Sequence, residues 1–383
     1  MRPRIVRVSG IARDEVGLHL ASSFRRLIAY GLSLMIALVT GSSGFIGSHL
    51  VDALLARGAT VRVLARAGAA AGEPDPRTTR WTVDLLDDRS VRETPAWEGV
   101  THVFHLGGVT KRRTLAQFRS GNVVPTANLL AAAVARGGAS PARVVFVSTQ
   151  AAGGPAPSPD RPVREDDPPR PVEGYGQSKL EAEQAALRYD DRLPVTIIRP
   201  AAVYGPRDRD FLRAFRMAAR SIAIHAVPRH NRFSIVHVAD LVDALLRAGD
   251  RPQAAGRTYN VANDAPVSWQ ELYDEVAAAA SMVPALTVQL PMPAVAAAGY
   301  AGDVVSALTG WHTLANRHKT RLARPRWWLC DASRAHDELD WISAIPLQRG
   351  VRDTYLWYLA ARWMRPRTSG RGGASVPTEE SQV

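Results

Sequence analysis

The stretch Met35-Ile36-Ala37-Leu38-Val39-Thr40-Gly41-Ser42-Ser43-Gly44-Phe45-Ile46-Gly47-Ser48-His49-Leu50 decides how this chain is read. Met35 to Val39 are five apolar residues that read as a short buried strand. A glycine turn then feeds an apolar-periodic helix from Phe45 to Ala56. Gly41 lets the chain turn off the strand, Gly44 lets backbone approach a pyrophosphate, and Gly47 lets helix and strand pack closely. The amides at the helix start would face an anion, aided by the helix dipole. Alone, the G-x-x-G-x-x-G trio also fits an ordinary strand–helix turn, being one residue wider than the usual dinucleotide fingerprint.

Working outward, the rhythm of strand and helix continues. Thr60 to Arg66, Trp81 to Asp84, Val100 to Leu106, Arg143 to Ser148 and Val195 to Arg199 read as strands. Asn122 to Arg136 and Gln177 to Tyr189 read as helices, and the Pro- and Asp-rich stretch Gly153 to Val172 as a surface loop. Such alternation predicts an α/β fold with a doubly wound parallel sheet and a ligand at the carboxyl ends of its strands. Residues 35–205 would form this dinucleotide-binding domain. Beyond Pro200 the pattern predicts helices at Phe211–Ile224, Ala239–Ala248 and Ser268–Ala280, with strands at Phe233–Val238 and Arg257–Ala262. Residues 206–362 are thus expected to form a smaller C-terminal substrate lobe, some segments of which return to the sheet. Residues 1–34 read as an extension or a mis-assigned start, and 363–383, low in apolar residues, as a disordered tail.

At 383 residues the chain can bury a large core, and 46% hydrophobic with 22% charged residues places it with globular proteins. The net charge of +12 invites a nucleic-acid reading, but only three residues are lysine (Lys111, Lys179, Lys319) and no basic–aromatic module is visible. Nucleic acid is therefore set aside. A single cysteine, Cys330, excludes an internal disulfide and leaves no zinc spacing, so no metal is expected and a reducing, cytoplasmic compartment fits. His102, His225 and His237 show no ligand spacing and read as structural. The apolar run Leu290–Leu308 is too short and too interrupted to span a bilayer, which limits any membrane contact to a peripheral one.

The sharpest chemical signal is Tyr175-Gly176-Gln177-Ser178-Lys179. Tyr and Lys four apart share one face of a helix start and can reach one ligand. A free tyrosine has a pKa of about 10, so a base near neutrality needs it lowered; a nearby ammonium and an oxidised nicotinamide would both favour the phenolate. Tyr175 would then exchange a proton with a substrate oxygen during hydride transfer.

Taken in order, Thr40 to Gly47, Asp84-Leu85, His105 to Gly108, Ser148-Thr149, Tyr175 with Lys179, and Arg199 to Pro206 resemble the extended short-chain dehydrogenase/reductases, the NAD-dependent epimerase/dehydratase family. The resemblance spans Met35 to Tyr358 and implies a Rossmann fold. It implies that Thr149 hydrogen-bonds the reacting oxygen, Tyr175 is the acid/base, and Lys179 also holds the nicotinamide ribose. It likewise implies cofactor contacts from Gly41, Ser43, Gly44, Phe45, Ile46 and Gly47, from Asp84 and Leu85 at adenine, from Leu106, Gly107 and Gly108, and from Pro200 to Val203 at the nicotinamide. Arg66, at the end of the second strand with no acid beside it, tilts the cofactor toward NADP(H) over NAD(H).

Departures narrow the reaction. Gln150-Ala151 replaces the Asp-Glu of the family's dehydratases, and Ala152-Gly153-Gly154 is more similar to the 3β-hydroxysteroid dehydrogenase branch than to the sugar epimerases. Two substrate classes stay open: a nucleotide sugar epimerised through transient oxidation, or an apolar alcohol or ketone. A third reading is a non-catalytic dinucleotide sensor. Leu286 to Leu308 suits an apolar substrate, a membrane surface or plain packing. A homodimer is compatible with all of these.

Overall fold

The computed structural model describes residues 35–68, 75–189, 191–225, 231–283, 286–309 and 321–365; the expected extension at 1–34 and the tail from 366 onward lie outside these. The first half alternates β1 (Ile36–Thr40), α1 (Phe45–Ala56), β2 (Thr60–Ala65), β3 (Thr78–Thr82), α2 (Asp88–Glu93), β4 (His102–His105), α3 (Leu115–Val134), β5 (Arg143–Val147), α4 (Gln150–Gly153), α5 (Gly174–Leu187) and β6 (Val195–Pro200). The second half runs β7 (Ala202–Tyr204), α6 (Leu212–Ala218), β8 (Ile222–His225), β9 (Arg232–Phe233), β10 (Ile235–His237), α7 (Val238–Asp250) and β11 (Thr258–Val261). It continues with α8 (Trp269–Ala279), β12 (Leu286–Gln289), α9 (Met292–Thr309), β13 (Trp327–Trp328), α10 (Ser333–Leu339) and α11 (Leu347–Ala360).

Seven strands form one parallel sheet in the order β3-β2-β1-β4-β5-β6-β11. The chain leaves β1 toward β2 and later returns to its other side as β4, so the loops after β1 and β4 part and open a crevice at the carboxyl ends. Alternation along each strand supplies both faces. Ala37 and Val39 of β1, Phe104 of β4 and Val145 of β5 join one core with Leu50, Leu54, Leu241 and Leu245 of α1 and α7. Leu38, Val103, Val144 and Phe146 point the other way, onto Val91, Leu129, Leu130 and Ala182 of α2, α3 and α5. A third cluster, with Phe215, Leu272, Val276, Val351 and Tyr358 fully buried, builds the second lobe from α6, α8 and α11.

Several boundaries differ from expectation. The helix expected over Phe211–Ile224 stops at Ala218; the chain turns through Ser221 (φ +56°), and Ile222–His225 pairs in parallel with Leu286–Gln289. The run from Leu286 is accordingly a strand followed by a helix. α3 starts seven residues before Asn122, because Thr114 and Gln117 form a reciprocal capping box. The third strand begins at Thr78, in register with Val61, leaving Asp84 beyond its end. The 153–172 loop is pinned inward: Ala156 and Val163 are buried, their amides bonded to the Trp327 and Leu329 carbonyls (2.8 and 3.0 Å).

One buried polar chain ties β1, β4 and α3 together behind the crevice. The Thr126 hydroxyl donates to the Asn122 carbonyl (2.7 Å), so its oxygen accepts from His105 Nε2 (3.0 Å). His105 Nδ1 must then accept from the Thr40 hydroxyl (2.7 Å), whose oxygen takes the Gly107 amide (3.0 Å). This order requires a neutral imidazole. Burial, with Lys179 adding a like charge, lowers its pKa to about 3.

The packing makes two variants informative. A side chain at Gly47 would drive its Cβ into the Gly41 carbonyl, whereas Gly138 faces open space. Gly47→Ala should therefore cost about 1–3 kcal/mol and lower the melting temperature by several degrees, with Gly138→Ala as the silent control; equal melting temperatures would contradict the packing role. At pH 5 to 6 the unfolded chain protonates His105 and the folded chain does not, so the unfolded state binds more protons and stability is lost as the pH is lowered. In urea unfolding, the stability gap between wild type and His105→Asn should be constant above about pH 7 and narrow by about 1 kcal/mol per unit below about pH 6. A gap that does not move with pH would mean that the ring is charged or exposed.

Candidate active site

At the crevice the two loops meet backbone to backbone. Gly41 (φ +73°) sits so close to the end of β4 that a Cβ would lie 2.7 Å from the Leu106 carbonyl carbon and 2.8 Å from the Gly107 nitrogen. Leu85 approaches the same place: its Cδ1 lies 3.5 Å from where a Cβ on Gly107 would stand. Gly44 begins α1 with no side-chain cap, and Ser43 and Gly44 are exposed, so the first-turn amides of a twelve-residue helix open onto the crevice. Phe45 packs edge-on to His49 (5.8 Å), and Ile46 and Val203 pack partly into the core beneath. The glycine cradle and open helix end fit a dinucleotide pyrophosphate.

The second group is built by α4 and α5. Thr149 caps α4, its Oγ1 accepting from the Ala151 amide (3.2 Å), which leaves its own proton to donate. α5 lies directly on this turn, because a side chain at Gly176 would strike the Ala151 carbonyl. Glu173 fixes that first turn, accepting from the Tyr175 and Gly176 amides (2.5 and 2.6 Å). Tyr175 is thereby brought into hydrogen bonding with Thr149. One turn on, Lys179 is buried over the Phe146 ring (4.2 Å) and donates to the Val147 carbonyl (2.7 Å).

The expected low tyrosine pKa is not a property of the chain alone. Burial pushes Tyr175 up to about 12, with the Glu173 carboxylate adding to the rise and the Thr149 hydrogen bond opposing it. Lys179 is pulled down to about 7 by burial, against the attraction of Glu183. Burial thus works against the Lys179 charge on which the expectation relied, with Glu183 opposing, and the phenol is held as an acid.

Beneath Lys179 lies a fully buried ion pair that motif reading did not find. Glu183 takes a forked contact from Arg199 (3.0 and 2.6 Å) and a hydrogen bond from Ser148. It joins β5, β6 and α5 under the site. Asn122 was also missed as anything beyond a helix residue. Its amide accepts from the Val109 nitrogen (2.7 Å) and donates to the Val109 carbonyl and to Ser178 (3.1 and 2.9 Å), fastening the Leu106–Val109 loop to α5. A lone buried amide in an apolar helix face was its only sequence signal.

The remaining expected residues occupy the rim. Arg66 directly follows β2 and is exposed. Asp84 is exposed and turns its carboxylate onto the Leu86 amide (3.0 Å). Pro200 closes β6 and is buried, and after Ala201 the chain forms β7 (Ala202–Tyr204) against β10. Among the described residues no cluster of His, Cys, Asp and Glu could hold a metal ion, and no helix is long and apolar enough to cross a membrane.

This arrangement can be set beside known proteins. The sequence model of the NAD dependent epimerase/dehydratase family matches residues 37–262. A ceramide reductase of Caulobacter vibrioides is 29% identical over 339 residues, covering 85% of this chain and 95% of its own length. A UDP-glucose 4-epimerase of Vibrio cholerae is 28% identical over 334 residues, with the same two coverages of 85% and 95%. The solved structure of the Thermotoga maritima UDP-glucose 4-epimerase with UDP-glucose superposes with a TM-score of 0.70 at 21% identity, covering 86% of this chain and all of that one, a likeness of fold. The crevice, the glycine turn and the extent of the match lead to one conclusion: this chain belongs to the NAD-dependent epimerase/dehydratase family and is an NAD-dependent enzyme of the extended short-chain dehydrogenase type.

Proposed function

We propose that the chain transfers hydride at a secondary alcohol or ketone, with Thr149, Tyr175 and Lys179 as its catalytic residues. The observation that carries this is Thr149 and Tyr175 hydrogen-bonded beside a buried lysine at the carboxyl edge of the sheet. In the direction of reduction, the Thr149 proton and the Tyr175 hydroxyl both bond the carbonyl oxygen, and Tyr175 passes its proton to that oxygen as charge develops there. A phenol held protonated suits this direction. Lys179 supplies positive charge beneath the phenol and refills it after transfer. The bound nicotinamide cofactor supplies or accepts the hydride. Its pyrophosphate would rest on Gly41 to Gly47, its adenine near Asp84 and Leu85, and its nicotinamide near Pro200 and Val203.

An apolar ketone or alcohol is the favoured substrate class. The residues after Thr149 (Gln150, Ala151, Ala152 and Gly153) carry no ionisable group, and the second lobe exposes Leu286, Val288 and Leu290. The name of the Caulobacter relative, a ceramide reductase, agrees with this. Epimerisation of a nucleotide sugar is the second reading, supported by the Vibrio relative. The exposed Arg66 at the end of β2 favours NADP(H), by meeting a 2′-phosphate. The single buried cysteine fits the cytoplasm.

Tyr175→Phe should lower turnover of long-chain ketones by about 10²–10⁴-fold while leaving cofactor affinity within a few-fold, measured by NADPH oxidation and fluorescence titration. Wild-type turnover in that variant would remove the mechanism, and interconversion of UDP-sugars with no net cofactor consumption would decide for the epimerase. Arg66→Asp should move the ratio of NADPH to NADH dissociation constants toward NADH by about tenfold or more. An unchanged ratio would take the 2′-phosphate away from Arg66.

A further inference from the structure

Eleven large apolar side chains are exposed among the described residues, and six of them fall between Val283 and Val305. Val283 and Leu286 are 69% and 74% exposed, and Val288, Leu290, Tyr300 and Val305 are 39–57% exposed. They belong to β12, its flanks and α9. α9 has one charged residue in eighteen, Asp303, and its exposed positions Pro293, Ala294, Ala297, Ala298 and Ala301 are apolar too. A solvated helix face carries charges at such positions; this one does not.

The residues just beyond α9 identify the occupant. From Val304 to Cys330 there is no Asp or Glu, but there are five cations (Arg317, Lys319, Arg321, Arg324, Arg326) and three tryptophans (Trp311, Trp327, Trp328). Arg321, Arg324 and Arg326 are exposed, and Trp327 and Trp328 half-buried. The chain then returns to the same lobe, β13 pairing with β9 as β12 pairs with β8. An apolar helix not long and apolar enough to cross a bilayer, followed by cations and tryptophan, is the composition of a segment that lies in a headgroup layer.

We infer that β12, α9 and the exposed Arg321, Arg324 and Arg326 form a docking surface for an anionic lipid membrane, apolar side chains entering the acyl boundary and arginines meeting lipid phosphates. A second copy of the chain is the weaker occupant. A two-fold contact through this surface would bring like-charged arginines together with no carboxylate from 304 to 330 to answer them. The test reads binding, not turnover.

The purified full chain is floated with phosphatidylcholine vesicles and with vesicles that also contain phosphatidylglycerol. The chain should float with the anionic vesicles, and less so as salt is raised. The triple variant Arg321→Gln, Arg324→Gln, Arg326→Gln should weaken that partitioning on the order of a hundredfold, at about fivefold per cation. Leu286→Ser with Leu290→Ser should weaken it too, with melting temperature and cofactor affinity held as checks on folding. Absence of flotation with anionic vesicles, or equal flotation with neutral ones, overturns the proposal. So does a dimer in sedimentation that Leu286→Ser with Leu290→Ser converts to monomer while vesicles bind neither form.

Discussion

The structure depends on how closely the backbone after β1 can approach the backbone after β4. Gly41 touches the Leu106–Gly107 peptide, and Gly47 brings α1 down onto the Gly41 carbonyl. Neither contact tolerates a Cβ. Because both close, α1 starts at the crevice with its amides outward, and the Thr40–His105–Thr126 chain can lock the two central strands behind it. A loop so placed is stiff, which suits a site that must hold a large anion against the sheet edge.

The same economy of small residues builds the chemical half of the site. Gly176 sets α5 on α4, and that contact brings the phenol to the threonine. The charges below it are ordered in depth. Lys179 sits at the floor on the Val147 carbonyl, and beneath it the Glu183–Arg199 pair is closed by Ser148. Removing either partner of such a pair would strand a buried charge, at a cost of about 3–5 kcal/mol. The pair thereby also holds β5, β6 and α5 in the one arrangement that presents Lys179. The site's electrostatics in the chain alone favour a protonated tyrosine and a weakened ammonium, and bound cofactor charge is what would shift them.

What the sequence made legible were features encoded by near neighbours. The glycine turn, the i, i+4 pairing of Tyr175 with Lys179 and the strand–helix rhythm each lie within a few residues, so their patterns survive in one dimension. The return of Thr258–Val261 to the sheet was expected only in outline, since its place beside β6 is a long-range pairing. β8 was hidden for the same reason: Ile222–His225 is a strand only because Leu286–Gln289 lies alongside. Asn122 and Glu183 carry no motif, as their partners come from 13 to 56 and 16 to 35 positions away. The direction of the Tyr175 shift could not be read either, because it follows from burial and from Glu173, whose role as a helix cap appears only once α5 is seen to start at Gly174.

The central claim is that Tyr175 and Lys179 flank a bound nicotinamide and answer to its charge. The difference in tyrosinate absorbance between wild type and Tyr175→Phe, titrated with and without oxidised cofactor, tests it directly. The phenol should ionise only near the value of about 12 in the free chain and markedly lower when the positively charged ring is bound. A Tyr175 titration identical in both states would contradict the claim.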